Sequence, residues 1–324
     1  MNEINDLEQS ILKSLAFFNI FKYPLTAMEI WKWLWQPRQK YTLAEVRQAL
    51  LTSDFLKDKI SVSEGFYTLK GSEYFYLLRK QNNNLAERKF RKVIRLAKFY
   101  RLIPFVRMIA VCNTLAYSNA REGSDIDLFI ITKQNKIWLA RFFTILFIKF
   151  FGLRPEDGDN QDAFCLTFFI SENALNLENI IMKGKDIYFP YWIQQLMPIY
   201  DPDSLYQKFL KANKWYLDYL PNGYYNQFFK EVRETKWSKI ISKIFGFIFS
   251  PPFLNRWSDE IYRRLQARII ATNLQELINI DTRVIVNEQM LKFHDNDRRE
   301  IFYKRWREIT HELLNTNKNE GQIV

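Results

Sequence analysis

The chain has 324 residues, is 48% hydrophobic and 17% aromatic, and carries a formal net charge of +11. This composition supplies a sizeable core and excludes a disordered chain, while the length exceeds one average domain, so two or three units are expected. Two cysteines and two histidines argue against a disulfide framework and against zinc chemistry of the His/Cys kind; they fit a reducing cytoplasm and leave carboxylates as the candidate catalytic groups.

The basic balance points to anionic partners: nucleic acid, nucleotides or an acidic membrane surface. The first residues, MNEINDLEQS, are acidic and polar, unlike a secretory signal. The most apolar stretch, IWLARFFTILFIKFFGL, carries Arg141 and Lys149 with only seven uncharged residues between them. A membrane span needs ~20 apolar residues, so an amphipathic helix is expected there and no transmembrane segment.

Residues 1–80 have the rhythm of a winged helix. A first helix is expected from Leu7 to Phe18, with Ile11, Leu15 and Phe18 on one side. Thr26 with Glu29, and Thr42 with Glu45, form capping boxes that start a second and a third helix. KISVSEGFYTLK reads as a hairpin around a Glu64-Gly65 turn. The third helix offers only Arg47 and Gln48 as base readers, and the hairpin tip carries Glu64, which repels phosphate. The case for sequence-specific DNA binding is therefore weak, and contact with a partner protein or with the next domain is the alternative.

Residues 81–104 read as a basic connecting helix. AERKFRKVIRLAKFYRLIPFVR holds eight Lys/Arg against the single acid Glu87, with Arg88, Arg91, Arg95 and Lys98 on one helical face. A solvated face and contact with an RNA or other phosphate backbone both account for it.

In the third segment, 105–200, RMIAVC is a buried-strand run ending at Asn113-Thr114, and DIDLFIIT is a second strand. Residues two apart on a strand point to the same side, so Asp125 and Asp127 project together. Like charges that close are costly in an apolar setting unless a cation neutralises them, and Mg²⁺ (or Mn²⁺) takes carboxylate oxygens while leaving positions for phosphate and water. A solvated strand start is the plainer alternative.

A strand, a small polar dipeptide, a loop of about ten residues, and then Ser124-Asp125-Ile126-Asp127 opening a second strand together resemble the polymerase-beta-like nucleotidyltransferase superfamily. With the preceding winged helix, the chain also resembles bacterial nucleotidyltransferase-like proteins. The resemblance implies that Asn113, Thr114 and Ser124 contact the nucleoside triphosphate and that Asp125 and Asp127 bind the metal. Family members carry a glycine where Asn113 stands, and Asn tolerates left-handed backbone better than most residues. They also place a third carboxylate on a later strand. In AFCLTFFI that position falls at Cys165 or Thr167, with Asp162 as the nearest acid before the strand and Glu172 after it.

Residues 201–324 read as a helical C-terminal domain, with Phe302, Trp306, Ile309 and Leu313 forming a core-facing stripe. Within it, IFGFIFSPPFLN (244–255) is too short to span a membrane, is broken by Pro251-Pro252, and suits core or an interdomain contact. LKFHDNDRRE reads as a helix start capped by Asp295 or Asn296. The expected fold is α+β, with a central mixed sheet flanked by helices. The expected function is transfer of a nucleoside monophosphate from an NTP to a hydroxyl of RNA, protein or a small molecule, with Asp125, Asp127 and Asp162 as catalytic carboxylates. The alternative is a non-enzymatic winged-helix regulator with a degenerate nucleotide-binding domain.

Overall fold

The computed structural model describes residues 5–153, 162–223, 231–251, 257–268 and 272–315. The chain begins with α1 (Asp6–Ile20), α2 (Ala27–Lys32), α3 (Leu43–Thr52) and α4 (Asp54–Lys59), followed by the hairpin strands β1 (Ile60–Ser63) and β2 (Phe66–Leu69). Both expected capping boxes form: Thr26 and Thr42 each accept the backbone N–H of a glutamate that reaches back to the cap. At the hairpin tip Glu64 and Gly65 both have positive φ, the geometry a two-residue turn needs to match strand twist. The structure adds α4, capped by Ser53, between the third helix and the hairpin.

A 26-residue helix, α5 (Phe75–Tyr100), leads to β3 (Val106–Val111), the single turn α6 (Asn113–Ala116), β4 (Ile126–Thr132), α7 (Ile137–Phe150) and β5 (Phe164–Ser171). Then come α8 (Tyr188–Gln195), β6 (Met197–Tyr200), α9 (Leu205–Ala212), α10 (Lys236–Phe249), α11 (Trp257–Ala267), α12 (Thr272–Gln275), β7 (Val284–Val286), β8 (Met290–Phe293) and α13 (Arg299–Asn315). The fold is α+β, around a six-stranded sheet ordered β6-β3-β4-β5-β8-β7. Among the described strands of this sheet, only the β4–β5 ladder is parallel.

One expectation is corrected here. The C-terminal segment is not purely helical, because β7 and β8 complete the central sheet, with Lys292 opposite Phe168. Residues 316–324 and the Pro252–Asn255 part of IFGFIFSPPFLN lie outside the described residues.

Strand side chains alternate between two apolar clusters. Met108, Ala110, Phe129, Ile131 and Ile170 face a cluster shared with the N-terminal helices, α8, α9 and α13. Ile109, Val111, Ile126, Leu128 and Ile130 face a second one with α5 and α7. The N-terminal segment therefore packs into one face of the sheet. Phe17 stacks on Tyr191 of α8 at 4.2 Å between ring centres, and Trp306 of α13 donates to the Lys13 carbonyl (2.9 Å). The Phe302-Trp306-Ile309-Leu313 stripe packs against this cluster as expected. Asp125 and Asp127 share the parity of Phe129 and Ile131, and an irregularity in β5 turns Cys165 to the same face, so the site lies under the N-terminal and C-terminal elements.

Candidate metal and phosphate site

The site begins where β3 ends. Cys112 keeps the ladder going, donating its N–H to the Asp127 carbonyl (3.2 Å), and the next residue turns into α6. That residue is Asn113, with φ +56°, the left-handed backbone for which the sequence spends an asparagine. Its side-chain oxygen accepts from Tyr188 Oη (3.0 Å) and Trp192 Nε1 (3.1 Å), which fixes the amide so that it also bonds Asp127. Asn113 thus positions the metal-candidate carboxylate.

β4 and β5 run side by side with Asp127 level with Cys165. Beyond that pair, Phe129 is level with Phe168, so β5 gains one residue over β4. This bulge lets Cys165 face the aspartates while Phe168 still reaches the core. One donor atom each from Asp125, Asp127 and Cys165 lies within 4.8 Å of the others. Of the two positions the sequence left open for a third acid, the structure brings Cys165 to the pair.

Burial, and then the charge of Asp125, pushes the Asp127 carboxyl up to about 6; bonds from Asn113 and Cys165 and the charge of Lys89 offset part of this. Burial and the neighbouring aspartate raise the Cys165 thiol as well. Its S–H lies 3.5 Å from Thr167 Oγ1, itself 3.2 Å from His294 Nε2. Burial and the charge of Lys292 lower His294 to about 3, so its ring is neutral at physiological pH.

Asp127, Asn113 and Thr114 line a cavity of about 290 Å³ whose far wall is the 292–302 segment, including Lys292, His294 and Arg298. That volume sits at the lower edge of small-ligand sites, roughly 300 to 1,000 Å³. Lys292 is partnered by Asp297 (3.6 Å) and the Thr282 carbonyl (2.6 Å), and burial lowers its pKa to about 8. Arg298 is exposed and makes no ion pair among the described residues. A larger cavity, about 590 Å³, lies between α2, α5 and the turn after α6. Its Glu29 and Arg79 are joined in a two-pronged ion pair (2.7 and 2.8 Å), so they offer a ligand no unmatched charge.

Three other expected site residues are placed differently. The Ser124 hydroxyl accepts from Lys89 (2.9 Å) and donates to the Arg121 carbonyl (2.9 Å), so both its roles are used within the chain. Asp162 is not part of the three-donor cluster; it meets Lys92 (2.9 Å), Lys89 (3.2 Å) and Arg88 (3.6 Å). Burial would raise its carboxyl, but the bonds from Lys92 and Lys89 outweigh that and hold it below the usual carboxylate value. Arg88 is thereby drawn inward, while Arg91, Arg95 and Lys98 stay exposed with no ion pair among the described residues.

Lys89 was legible only as one more charge in the basic run. It is buried, with its ammonium on Ser124 and Asp162, and it ties α5 to the loop that presents Asp125. Replacing Asp162 with Asn keeps an acceptor for this buried ammonium but removes the charge that balances it. We expect a loss of about 2 kcal/mol in urea unfolding, moderated because Lys92 and Arg88 are half-exposed. An unchanged midpoint would mean that solvent already neutralises the three cations.

No family model, curated protein or solved structure matches the chain.

Proposed function

We propose that the chain is a divalent-metal-dependent nucleotidyltransferase that passes a nucleoside monophosphate from an NTP to a hydroxyl acceptor and releases pyrophosphate. The observation that carries this reading is the convergence of Asp125, Asp127 and Cys165 beside a cavity lined by Thr114 and Arg298. The donor set fits a divalent ion, since two carboxylates and a sulfur that would release its proton on binding offer three ligand atoms and leave other positions open. The sulfur makes the set softer than an all-carboxylate one, so Mn²⁺ suits it better than Mg²⁺. Asp125 and Asp127 would hold the ion, which when bound supplies charge to polarise a phosphate and stabilise the leaving pyrophosphate.

The chain's own residues do the rest. Asn113, anchored by Tyr188 and Trp192, keeps Asp127 in place, and Lys89 holds the loop before Asp125. Thr114 and Arg298 both line the cavity, where a hydroxyl and a guanidinium would serve as phosphate contacts. Arg91, Arg95 and Lys98 present a basic face that suits a polyanionic acceptor such as RNA.

A second reading, nucleotide binding without transfer, is favoured by one specific observation: Asp162 is engaged by three cations and Cys165 stands in the cluster in place of a third carboxylate. The two separate in one experiment. The protein is incubated with Mn²⁺, each labelled NTP, and in turn cell RNA, protein extract and small-molecule extract. Transfer is expected with one acceptor class and should fall at least ~100-fold in an Asp125→Ala, Asp127→Ala variant. Binding without label transfer would establish the second reading. Equal nucleotide affinity in wild type and variant would sink both.

A further inference from the structure

We propose that α10 is an interfacial anchor that binds the protein to an anionic lipid surface, a role independent of the metal site. The helix has two apolar faces. One is packed: Phe245 and Phe249 lie 4.7 and 4.6 Å from the Phe143 ring of α7, Gly246 lies against Pro104, and Ser238 is buried. The other faces water. Trp237, Ile240, Ile241, Ile244, Phe247 and Ile248 are all exposed, Trp237 by 75% and Phe247 by 71%.

Projected at about 100° per residue, these six fall within an arc of about 120°. Trp237 and Phe247 alone expose on the order of 300 Å², as much as the whole largest patch of many monomers. Neighbouring helices add to the exposed apolar surface: α7, which packs on α10 through Phe143, leaves Phe150 81% exposed, and α11, which packs on α7 through Tyr262, leaves Trp257 68% exposed.

Charge identifies what covers the face. Lys236, Lys239 and Lys243 fill the sector next to the apolar arc, and residues 236–249 contain no acid. Lys239 leans on Glu234, ahead of the helix, at 3.1 Å; Lys236 and Lys243 make no ion pair among the described residues. An apolar arc with an indole at one end and lysines along its edge is how a helix lies in a bilayer interface, its ammonium groups reaching the phosphates. A second copy would bring the same lysines and the same +11 charge, so the complementary surface is an anionic bilayer. No helix of the described residues is long and apolar enough to cross a membrane, and this attachment needs none.

The test is flotation of the full chain with vesicles of phosphatidylcholine alone and of phosphatidylcholine with about one third phosphatidylglycerol. Wild type is expected to float with the anionic vesicles, at least ~10-fold more strongly than with neutral ones, and to detach as salt rises. An Ile244→Asp, Phe247→Asp variant, which should fold normally because both residues are exposed, is expected to lose at least ~10-fold in binding. A Lys236→Gln, Lys243→Gln variant is expected to lose on the order of 30-fold on the anionic vesicles and little on the neutral ones. Two outcomes would overturn the proposal. One is flotation of the Asp variant equal to wild type. The other is no flotation of wild type on the anionic vesicles; a dimer, seen by sedimentation, that the Asp variant dissolves would then assign the face to a second copy.

Discussion

In metal-free buffer at pH 7, Asp127→Asn is expected to be more stable than the wild-type protein, by up to about 3 kcal/mol. The gain follows from the folded-state pKa. Burial and Asp125 raise the Asp127 carboxyl from 3.8 to about 6, and each unit corresponds to about 1.4 kcal/mol of preference for the neutral form. Because the folded pKa lies above the unfolded one, the folded state holds the proton more tightly. Stability from this group is fully present below about pH 4 and lost as pH rises through about 6. An amide keeps the neutral shape and can still accept the bond from Asn113, so the variant escapes that loss. The gain should therefore be near zero at pH 4, grow across the window and level off above it, as read from urea unfolding at several pH values.

Divalent metal should reverse the ranking. Mn²⁺ at about 1,000 times its dissociation constant would stabilise the wild type by about 4.1 kcal/mol, more than the deficit, and leave the variant nearly unchanged. A carboxylate that is costly without an ion and favourable with one is the signature of a binding site, not of structure. If Asp127→Asn is the less stable protein without metal at pH 7, the carboxylate has a structural role and the metal reading fails. Equal stabilisation of both proteins by Mn²⁺ would place the ion elsewhere.

What the sequence discloses here is whatever depends on near neighbours. The capping boxes at Thr26 and Thr42 and the Glu64-Gly65 turn each close within four residues, so composition and spacing suffice. The same holds for Asp125 and Asp127, whose shared face follows from the two-residue period of a strand. The choice between Cys165 and Thr167 does not, because both have the right parity and only the bulge and register against β4 bring Cys165 to the aspartates. Asp162 and Lys89 lie 73 positions apart, and nothing local announces their pairing. Pairing of β8 with β5 spans a still longer separation, and nothing local sets 284–293 apart from the helices around it. α10 misled differently: its pattern is apolar on both faces, and a run like that reads as core until one face is found without a neighbour.

Arg299→Leu is expected to cost about 3 to 5 kcal/mol. Arg299 opens α13, and all five of its guanidinium N–H groups have acceptors. Nε and one terminal nitrogen serve Asp297 (2.8 to 3.0 Å), the other terminal nitrogen serves Asp186 (2.8 Å) and the Ile180 carbonyl (2.9 Å), and the last N–H reaches Thr282 Oγ1 (2.8 Å). Lys292 joins the cluster through Asp297, so two cations and two carboxylates balance in a nearly dry setting. Removing one member leaves charge buried without its counterion, the costly way to break such a network. Asp186 is the group exposed by the change. Burial already raises its pKa, and it would keep only the N–H groups of Phe189 and Met182.

Its pKa should climb further in the variant, so the loss should be larger at pH 8 than at pH 5. Arg299→Lys tests the geometry: it keeps the charge but cannot reproduce the fork, and an intermediate loss is expected. Because Arg299, Lys292 and Asp297 also line the cavity beside Asp127, the leucine variant should bind nucleotide poorly even when still folded. A loss under 1 kcal/mol in urea unfolding, with no pH dependence, would show that the network is dispensable and that packing of α13 on α1 alone holds the cavity wall in place.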